Sequence, residues 1–347
     1  MKYSFDEIMM KRCLQLALKG IGNTYPNPLV GSIITNNNKI IGEGFHYKAG
    51  LPHAEIIAIN SVKNKSLLNE STLYVNLEPC SHFGKTPPCS NAIIKHKIKR
   101  VVIGCTDYSS KVNGKGIERL KENGVEVLVN CLEKEATAIN KRFFTFQIKK
   151  RPYIILKWAS SADGFLGKVN EQISISNKYA KQFSHKLRTD NPSILVGKNT
   201  VLIDDPRLTA REYYGNNPVR IIIDKNLLIN ENKEIYNNDS KTIIFNNIKS
   251  EEVKNIQFIK IDFSLENYLQ QILNSLYTIQ IQSIIIEGGA FTLNSFIQNN
   301  LWDEAYVFKA NELIISDGIK SPTLKNELLI NKINLGNNIL FKYQNKG

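Results

Sequence analysis

The chain has no run of about 18 apolar residues, the length a membrane-crossing helix needs, so no span is expected. Its start, Met1-Lys2-Tyr3-Ser4-Phe5-Asp6-Glu7, turns polar and acidic too early for a signal peptide. Cysteine is scarce: Cys13, Cys80, Cys89, Cys105 and Cys131 are the whole set in 347 residues. An odd, sparse set argues against a disulfide framework and for a reducing cytoplasm. No Gly-x-Gly-x-x-Gly follows a strand-like segment, which leaves a Rossmann dinucleotide site without support. Gly20-Ile21-Gly22 follows a helical segment and lacks the third glycine, so it reads as a helix stop.

What is present is ordinary apolar material and excess positive charge. Hydrophobic residues make up 42%, enough for packed cores, and the net charge is +13. The charge is uneven. Residues 1–150 hold 22 Lys and Arg against 12 Asp and Glu, whereas residues 151–347 hold 23 against 20. A basic first half suits an anionic partner, either a phosphorylated metabolite or nucleic acid. The lysines are scattered, with Lys95, Lys97, Lys99 and Arg100 the densest group, and nucleic-acid footprints are clustered.

At about 100–200 residues per domain, the length predicts two domains. Ser4 and Glu7 read as a capping box opening a helix to about residue 19. Residues 29–35 and 39–45 read as a hairpin. Helix is expected over 53–62, 89–96, 117–123 and 133–147, and strand over 72–77, 100–104 and 125–129. Lys149-Lys150-Arg151-Pro152 marks a boundary, giving expected domains 1–148 and 149–347. Beyond it, strands are expected over 153–160, 193–197, 219–224, 242–245, 258–261, 283–287 and 305–309. Helices are expected over 178–188, 265–276 and 291–298. Both halves therefore read as α/β, sheets covered by helices. The Asn-, Lys- and Ile-rich stretch after Asp317 is given no role.

His53-Ala54-Glu55, then Pro79-Cys80 and Cys89, carry the chemistry. One His and two Cys are zinc-ligand types, and a catalytic zinc keeps three protein ligands with the fourth position for water. Such a water has its pKa lowered to about 7, and Glu55, two residues after His53, is placed to move protons. Three readings compete: a catalytic zinc, a structural zinc, and unrelated core cysteines. A structural site needs a fourth ligand at short spacing, and Cys13, Cys105 and Cys131 offer none. The His-x-Glu, Pro-Cys and Cys pattern resembles the signature of zinc nucleobase deaminases. Nucleobase deaminases commonly space the two cysteines as Cys-x-x-Cys; here eight residues intervene, including His82 and Lys85. With Tyr25-Pro26-Asn27-Pro28-Leu29-Val30-Gly31 and Gly42-Glu43-Gly44-Phe45-His46, this loop resembles the bifunctional pyrimidine deaminase–reductases of riboflavin biosynthesis.

The second half resembles the same family's reductase portion in Lys157 to Gly164, Gly197 to Arg211, Pro218 to Asp224 and Glu287-Gly288-Gly289. The resemblance implies a cytidine-deaminase-like α/β/α sandwich followed by a dihydrofolate-reductase-like α/β domain. It implies zinc on His53, Cys80 and Cys89, with Glu55 as the catalytic acid–base. It implies NADPH at Ser160, Ser174, Thr200, Asp204, Lys225, Gly289, Ala290, Phe291, Thr292, Leu293, Asn294 and Ser295. The substrate would meet Asn27, His46, His82 and Lys85 in the first domain, and Lys157, Arg188, Leu208, Arg211 and Glu287 in the second. That substrate would be a diaminopyrimidine bearing a 5-phosphoribosylamino group, deaminated and then reduced to a ribityl compound. No nucleic-acid or membrane partner is expected; a homo-oligomer in the cytoplasm is. Two departures stand out. The family's Asp-Pro-Asn-Pro reads Asp107-Tyr108-Ser109-Ser110, and Ser174 replaces a frequent Trp. A competing expectation is a nucleic-acid base deaminase whose second half binds RNA; the long cysteine loop and the reductase-like second half favour the metabolic enzyme.

Overall fold

The computed structural model describes residues 3–347 except 82, 84–86, 110, 111, 170 and 172. The chain divides into two compact units, Met1–Lys150 and Arg151–Gly347.

The first unit contains α1 (Phe5–Leu18), β1 (Gly31–Asn36), β2 (Lys39–Phe45), α2 (Ala54–Ser61), β3 (Thr72–Leu77), α3 (Cys89–Lys95), β4 (Arg100–Cys105), α4 (Lys115–Glu122), β5 (Glu126–Leu128), α5 (Glu133–Ile139) and α6 (Lys141–Lys149). The Ser4 capping box forms as expected: Glu7 N–H donates to Ser4 Oγ, and Ser4 N–H to Glu7 Oε2. Five strands run in the order β2-β1-β3-β4-β5, with β1 antiparallel to β2 and β3, and β3, β4 and β5 parallel. Glycines seat helices on this sheet. A Cβ on Gly31 would stand 2.1 Å from Cys13 O, and one on Gly42 or Gly44 would stand 2.5 Å from a carbonyl of α2. The expected helix over 133–147 is two helices. Asn140 breaks it, because its side chain turns away to hold both polar groups of Leu29 at 2.8 and 2.9 Å.

The second unit contains β6 (Tyr153–Ser160), β7 (Phe165–Gly167), α7 (Lys178–Asp190), β8 (Ser193–Gly197), α8 (Lys198–Asp204), β9 (Val219–Ile223), β10 (Thr242–Asn246), β11 (Glu251–Val253), β12 (Ile256–Lys260), α9 (Tyr268–Thr278), β13 (Ser283–Glu287), α10 (Ala290–Gln298), β14 (Glu304–Ala310), β15 (Ile319–Lys320), β16 (Glu327–Asn334) and β17 (Asn338–Asn345). Ten strands form one sheet, β11-β12-β10-β9-β8-β13-β6-β14-β17-β16, and its central strands from β12 to β14 are parallel. Such strands are buried on both faces and read as continuous apolar runs, as Ile284-Ile285-Ile286 does. The stretch after Asp317 was given no role, yet it supplies β15, β16 and β17. Strand β17 pairs with β14 from Asn338 to Gln344 and buries Leu340.

Candidate functional site

In the first unit, the segments leading from β2 into α2 and from β3 into α3 bring the ligand residues together. His53 is the residue before α2, Cys80 lies past β3, and Cys89 opens α3. His53 Nδ1 lies 3.2 Å from Cys89 Sγ and 3.6 Å from Cys80 Sγ, and the three candidate ligand atoms fall within 4.8 Å of one another. The Cys89 N–H donates to Cys80 Sγ at 3.2 Å. This donor set, one imidazole nitrogen and two sulfurs around one point, fits a tetrahedral zinc with one open position. The contact with Cys89 holds the Cys80 thiol down at about 4, aided by His53; the same contact and burial push Cys89 up. Metal binding needs both as thiolates, so loading releases the proton the pair shares.

Glu55 is buried in the first turn of α2, and burial, then the charge of Cys80, raises its carboxyl to about 7. Beside the His53 ring, with ring centroids 5.4 Å apart, stands His46; Asn27 Nδ2 lies 3.0 Å from His46 Nε2, while His46 Nδ1 lies 3.2 Å from Pro52 O. Burial favours the neutral ring. One tautomer satisfies both contacts: Nδ1–H donates to Pro52 O, and Nε2 accepts from the Asn27 amide. The Asn27 oxygen is thereby left for a ligand. Asn140 and Asn76 pin the adjoining backbone at Leu29 and Gly31. His82 and Lys85 lie outside the described residues.

The second unit has a cavity of about 1470 Å³ at the carboxyl ends of β6, β8, β9 and β13. Open parallel sheets bind ligands there, and the volume exceeds that of a usual single-ligand pocket, about 300–1,000 Å³. It is lined by Ser174, Thr200, Asp204, Lys225, Gly289, Ala290, Phe291, Thr292 and Ser295, and by Lys157, Arg188, Leu208, Arg211 and Glu287. Ser160, Leu293 and Asn294 do not line it; Leu293 packs into the core under α10. Gly288 and Gly289 have φ of +72° and +67°, and a Cβ on Gly288 would press on Thr200 at 2.9 Å. No side chain caps α10. Its first amides therefore face an open glycine cradle, the arrangement that takes a phosphate. NADPH fits this chemistry.

At the floor of the cavity, Glu287 accepts from Arg188 Nη2 at 2.8 Å and Nε at 3.3 Å, and lies 3.6 Å from Lys157 Nζ. Burial pushes Glu287 up, but Arg188 and Lys157 overcome it and hold the carboxyl at about 2. Burial lowers Lys157 despite Glu287, so its proton is held less firmly than a surface lysine's. Arg188 is thus committed to Glu287 and to Thr209 O, whereas exposed Arg211 makes no ion pair among the described residues. Asp163 is a clasp: it accepts from Ser161 Oγ and from the backbone N–H groups of Ile315 and Ser316. Sequence reading missed Lys181 and His185, which also line the cavity. Their spacing from Arg188, seven and three residues back on α7, was the available signal.

Comparison with known proteins agrees with both sites. A profile described as "Cytidine and deoxycytidylate deaminase zinc-binding region" matches residues 3–105, and one described as "RibD C-terminal domain" matches residues 152–314. The second match overturns the RNA-binding alternative for the second half. The riboflavin biosynthesis protein RibD of Aquifex aeolicus is 40% identical over 318 residues, covering 89% of this chain and 88% of that protein. RibD of Synechocystis is 34% identical, covering 93% and 88%. Among solved structures, the diaminohydroxyphosphoribosylaminopyrimidine deaminase/5-amino-6-(5-phosphoribosylamino)uracil reductase of Thermotoga maritima has a TM-score of 0.89 at 34% identity, over 98% of this chain and 99% of that one. Acinetobacter baumannii RibD has a TM-score of 0.89 at 29% identity, over 99% of each. The first unit is thus the zinc-dependent deaminase half and the second the NADPH-dependent, dihydrofolate-reductase-like half, and the chain belongs to the RibD family of bifunctional riboflavin-biosynthesis enzymes.

Proposed function

We propose that the first unit hydrolyses the exocyclic amine of a diaminopyrimidine carrying a 5-phosphoribosylamino group, and that the second reduces the ribosyl group of the resulting uracil. The observation that carries this reading is the pairing of a His–Cys–Cys cluster beside buried Glu55 with a second cavity large enough for two ligands. His53, Cys80 and Cys89 hold zinc. Bound zinc supplies a Lewis acid that makes water nucleophilic near pH 7. Glu55 takes a proton from the attacking water and passes it to the nitrogen that leaves as ammonia. Asn27, oriented by His46, accepts from the donor edge of the pyrimidine, and His82 and Lys85 meet the rest of the substrate.

In the second unit, bound NADPH supplies the hydride. Thr200 and the backbone of Gly289 to Thr292 hold the cofactor, with Ser174, Asp204, Lys225 and Ser295 along the same cavity. Arg211 takes the substrate phosphate, since guanidinium matches phosphate with paired hydrogen bonds. Lys157 gives the proton that balances hydride arrival at C1′ of the open, imine-like ribosylamine, and Glu287 keeps Lys157 and Arg188 in place. The enzyme acts in the cytoplasm as a homo-oligomer; the half-exposed Leu328, Leu329 and Ile330 on edge strand β16 support self-association.

The test is to supply the diaminopyrimidine ribotide with and without NADPH. Ammonia release without NADPH, followed by NADPH consumption on the deaminated product, is the expected result. NADPH consumption with no prior ammonia release would overturn the proposed order.

A further inference from the structure

Glu78 has no part in the roles above, yet it is only 4% exposed and its carboxylate is filled by main-chain amides of one distant segment. Oε1 accepts from Gly116 at 2.8 Å and Ile117 at 3.3 Å; Oε2 accepts from Gly114 at 3.0 Å and Asp107 at 3.2 Å. Three of these donors open α4, whose own N-cap, Gly114, has no side chain to offer. The carboxylate satisfies amides that would otherwise be orphaned and meets the positive end of the helix. Backbone packing closes the same joint. Glu78 N–H donates to Cys105 O at 3.0 Å, and a Cβ on Gly116 would stand 2.1 Å from Pro79 O. Residues 78 and 79 are therefore held by a side-chain clasp and a flush glycine contact, and the next residue is Cys80.

The other cysteine arm meets α4 as well. Arg119 Nε donates to Asn91 Oδ1 at 2.8 Å, and Asn91 lies on α3 two residues after Cys89. A cap from within the helix would serve α4 alone. Here the cap comes from the residue two before one sulfur ligand, while the same helix braces the element that carries the other.

We propose that Glu78 is a positioning residue for the metal site, using α4 as a splint that sets the Cys80 sulfur against those of Cys89 and the His53 ring. The inference rests on the zinc reading of His53, Cys80 and Cys89. Supporting groups outside the ligand set commonly change metal affinity by about 10–100-fold.

Glu78→Gln keeps the size of the side chain but replaces one acceptor oxygen by an NH2 group facing N–H donors. Zinc should pass from this variant to a chromogenic chelator about 10–100-fold faster than from the parent. The Co2+-substituted variant should show a changed visible spectrum, while NADPH-dependent reduction of the deaminated substrate stays at the parent rate. Glu118→Gln, an exposed change in the same first turn of α4, should leave zinc release unaltered. A folded Glu78→Gln protein with parental zinc release and Co2+ spectrum overturns the proposal. If that variant does not fold, the parent decides. Coupling is reciprocal, so stripping zinc should speed amide exchange at Gly114, Gly116 and Ile117, and unchanged exchange there overturns the proposal. A parent protein that holds no zinc overturns the metal reading itself, which separates the two failures.

Discussion

Glu55 and Glu287 are both buried, and their neighbours drive them apart. Burial, then the charge of Cys80, raises Glu55 to about 7; Glu287, beside Arg188 and Lys157, is held at about 2 in spite of burial. Glu55→Gln should retain zinc, since no ligand changes, while ammonia release drops by about 10²–10⁴-fold, the usual share of a general acid–base. Metal analysis beside an ammonia assay checks both halves, and retained turnover would rule out the proton role. Glu287 predicts an acid dependence. Its folded pKa lies below its unfolded value of about 4.3. The unfolded chain therefore binds more protons in that interval, so stability rises with pH through it and is lost as pH falls. The contribution is complete above about pH 4.3 and is lost towards pH 2, on the order of 3 kcal/mol for the second unit. Urea midpoints at pH 6 and pH 3 measure it, and Glu287→Gln should flatten the difference. Among these residues, the ligand set was legible because His, Glu and Cys recur at chemically meaningful spacings. Glu78 was not, because its meaning lies in amides some 30 to 40 residues away.

Elements were legible where local pattern decides and illegible where a distant partner does. The Ser4 capping box and the apolar core strands follow from their own residues. The split between α5 and α6 follows from Leu29, 111 residues away, which needs Asn140. Asn140→Ala should cost about 1–3 kcal/mol, the penalty of one orphaned buried donor. Leu29 N–H loses the Asn140 acceptor, whereas Leu29 O keeps Asn76 Nδ2 at 3.0 Å. Because Asn27 lies two residues upstream, KM for deamination should rise as thermal stability falls; a stability loss with unchanged KM would separate the loop from the substrate. The final strands were hidden for a different reason. Residues of β16 are exposed on both faces and show no alternation, and β17 is defined by its partner β14. Leu340→Ala should cost about 2–5 kcal/mol, as core leucines do, with a matching drop in the urea midpoint.

At the scale of the molecule, the two halves share a chain but not a core, and every lining residue of the reductase cavity lies between 157 and 319. The candidate zinc ligands lie between 53 and 89. Removing the metal should therefore divide the activities. Stripped protein should release no ammonia from the diaminopyrimidine ribotide, yet oxidise NADPH on the deaminated compound within about twofold of the loaded enzyme. Given the un-deaminated compound and NADPH together, it should do nothing until zinc is restored. Ammonia release should then precede NADPH oxidation by a lag that shortens as the deaminase is loaded. Loss of reduction on stripping would mean that zinc supports the second unit as well, against the separation of the cores. Oxidation of NADPH on the un-deaminated compound would show that the second cavity accepts the amine, and the order of the two reactions would have to be reversed.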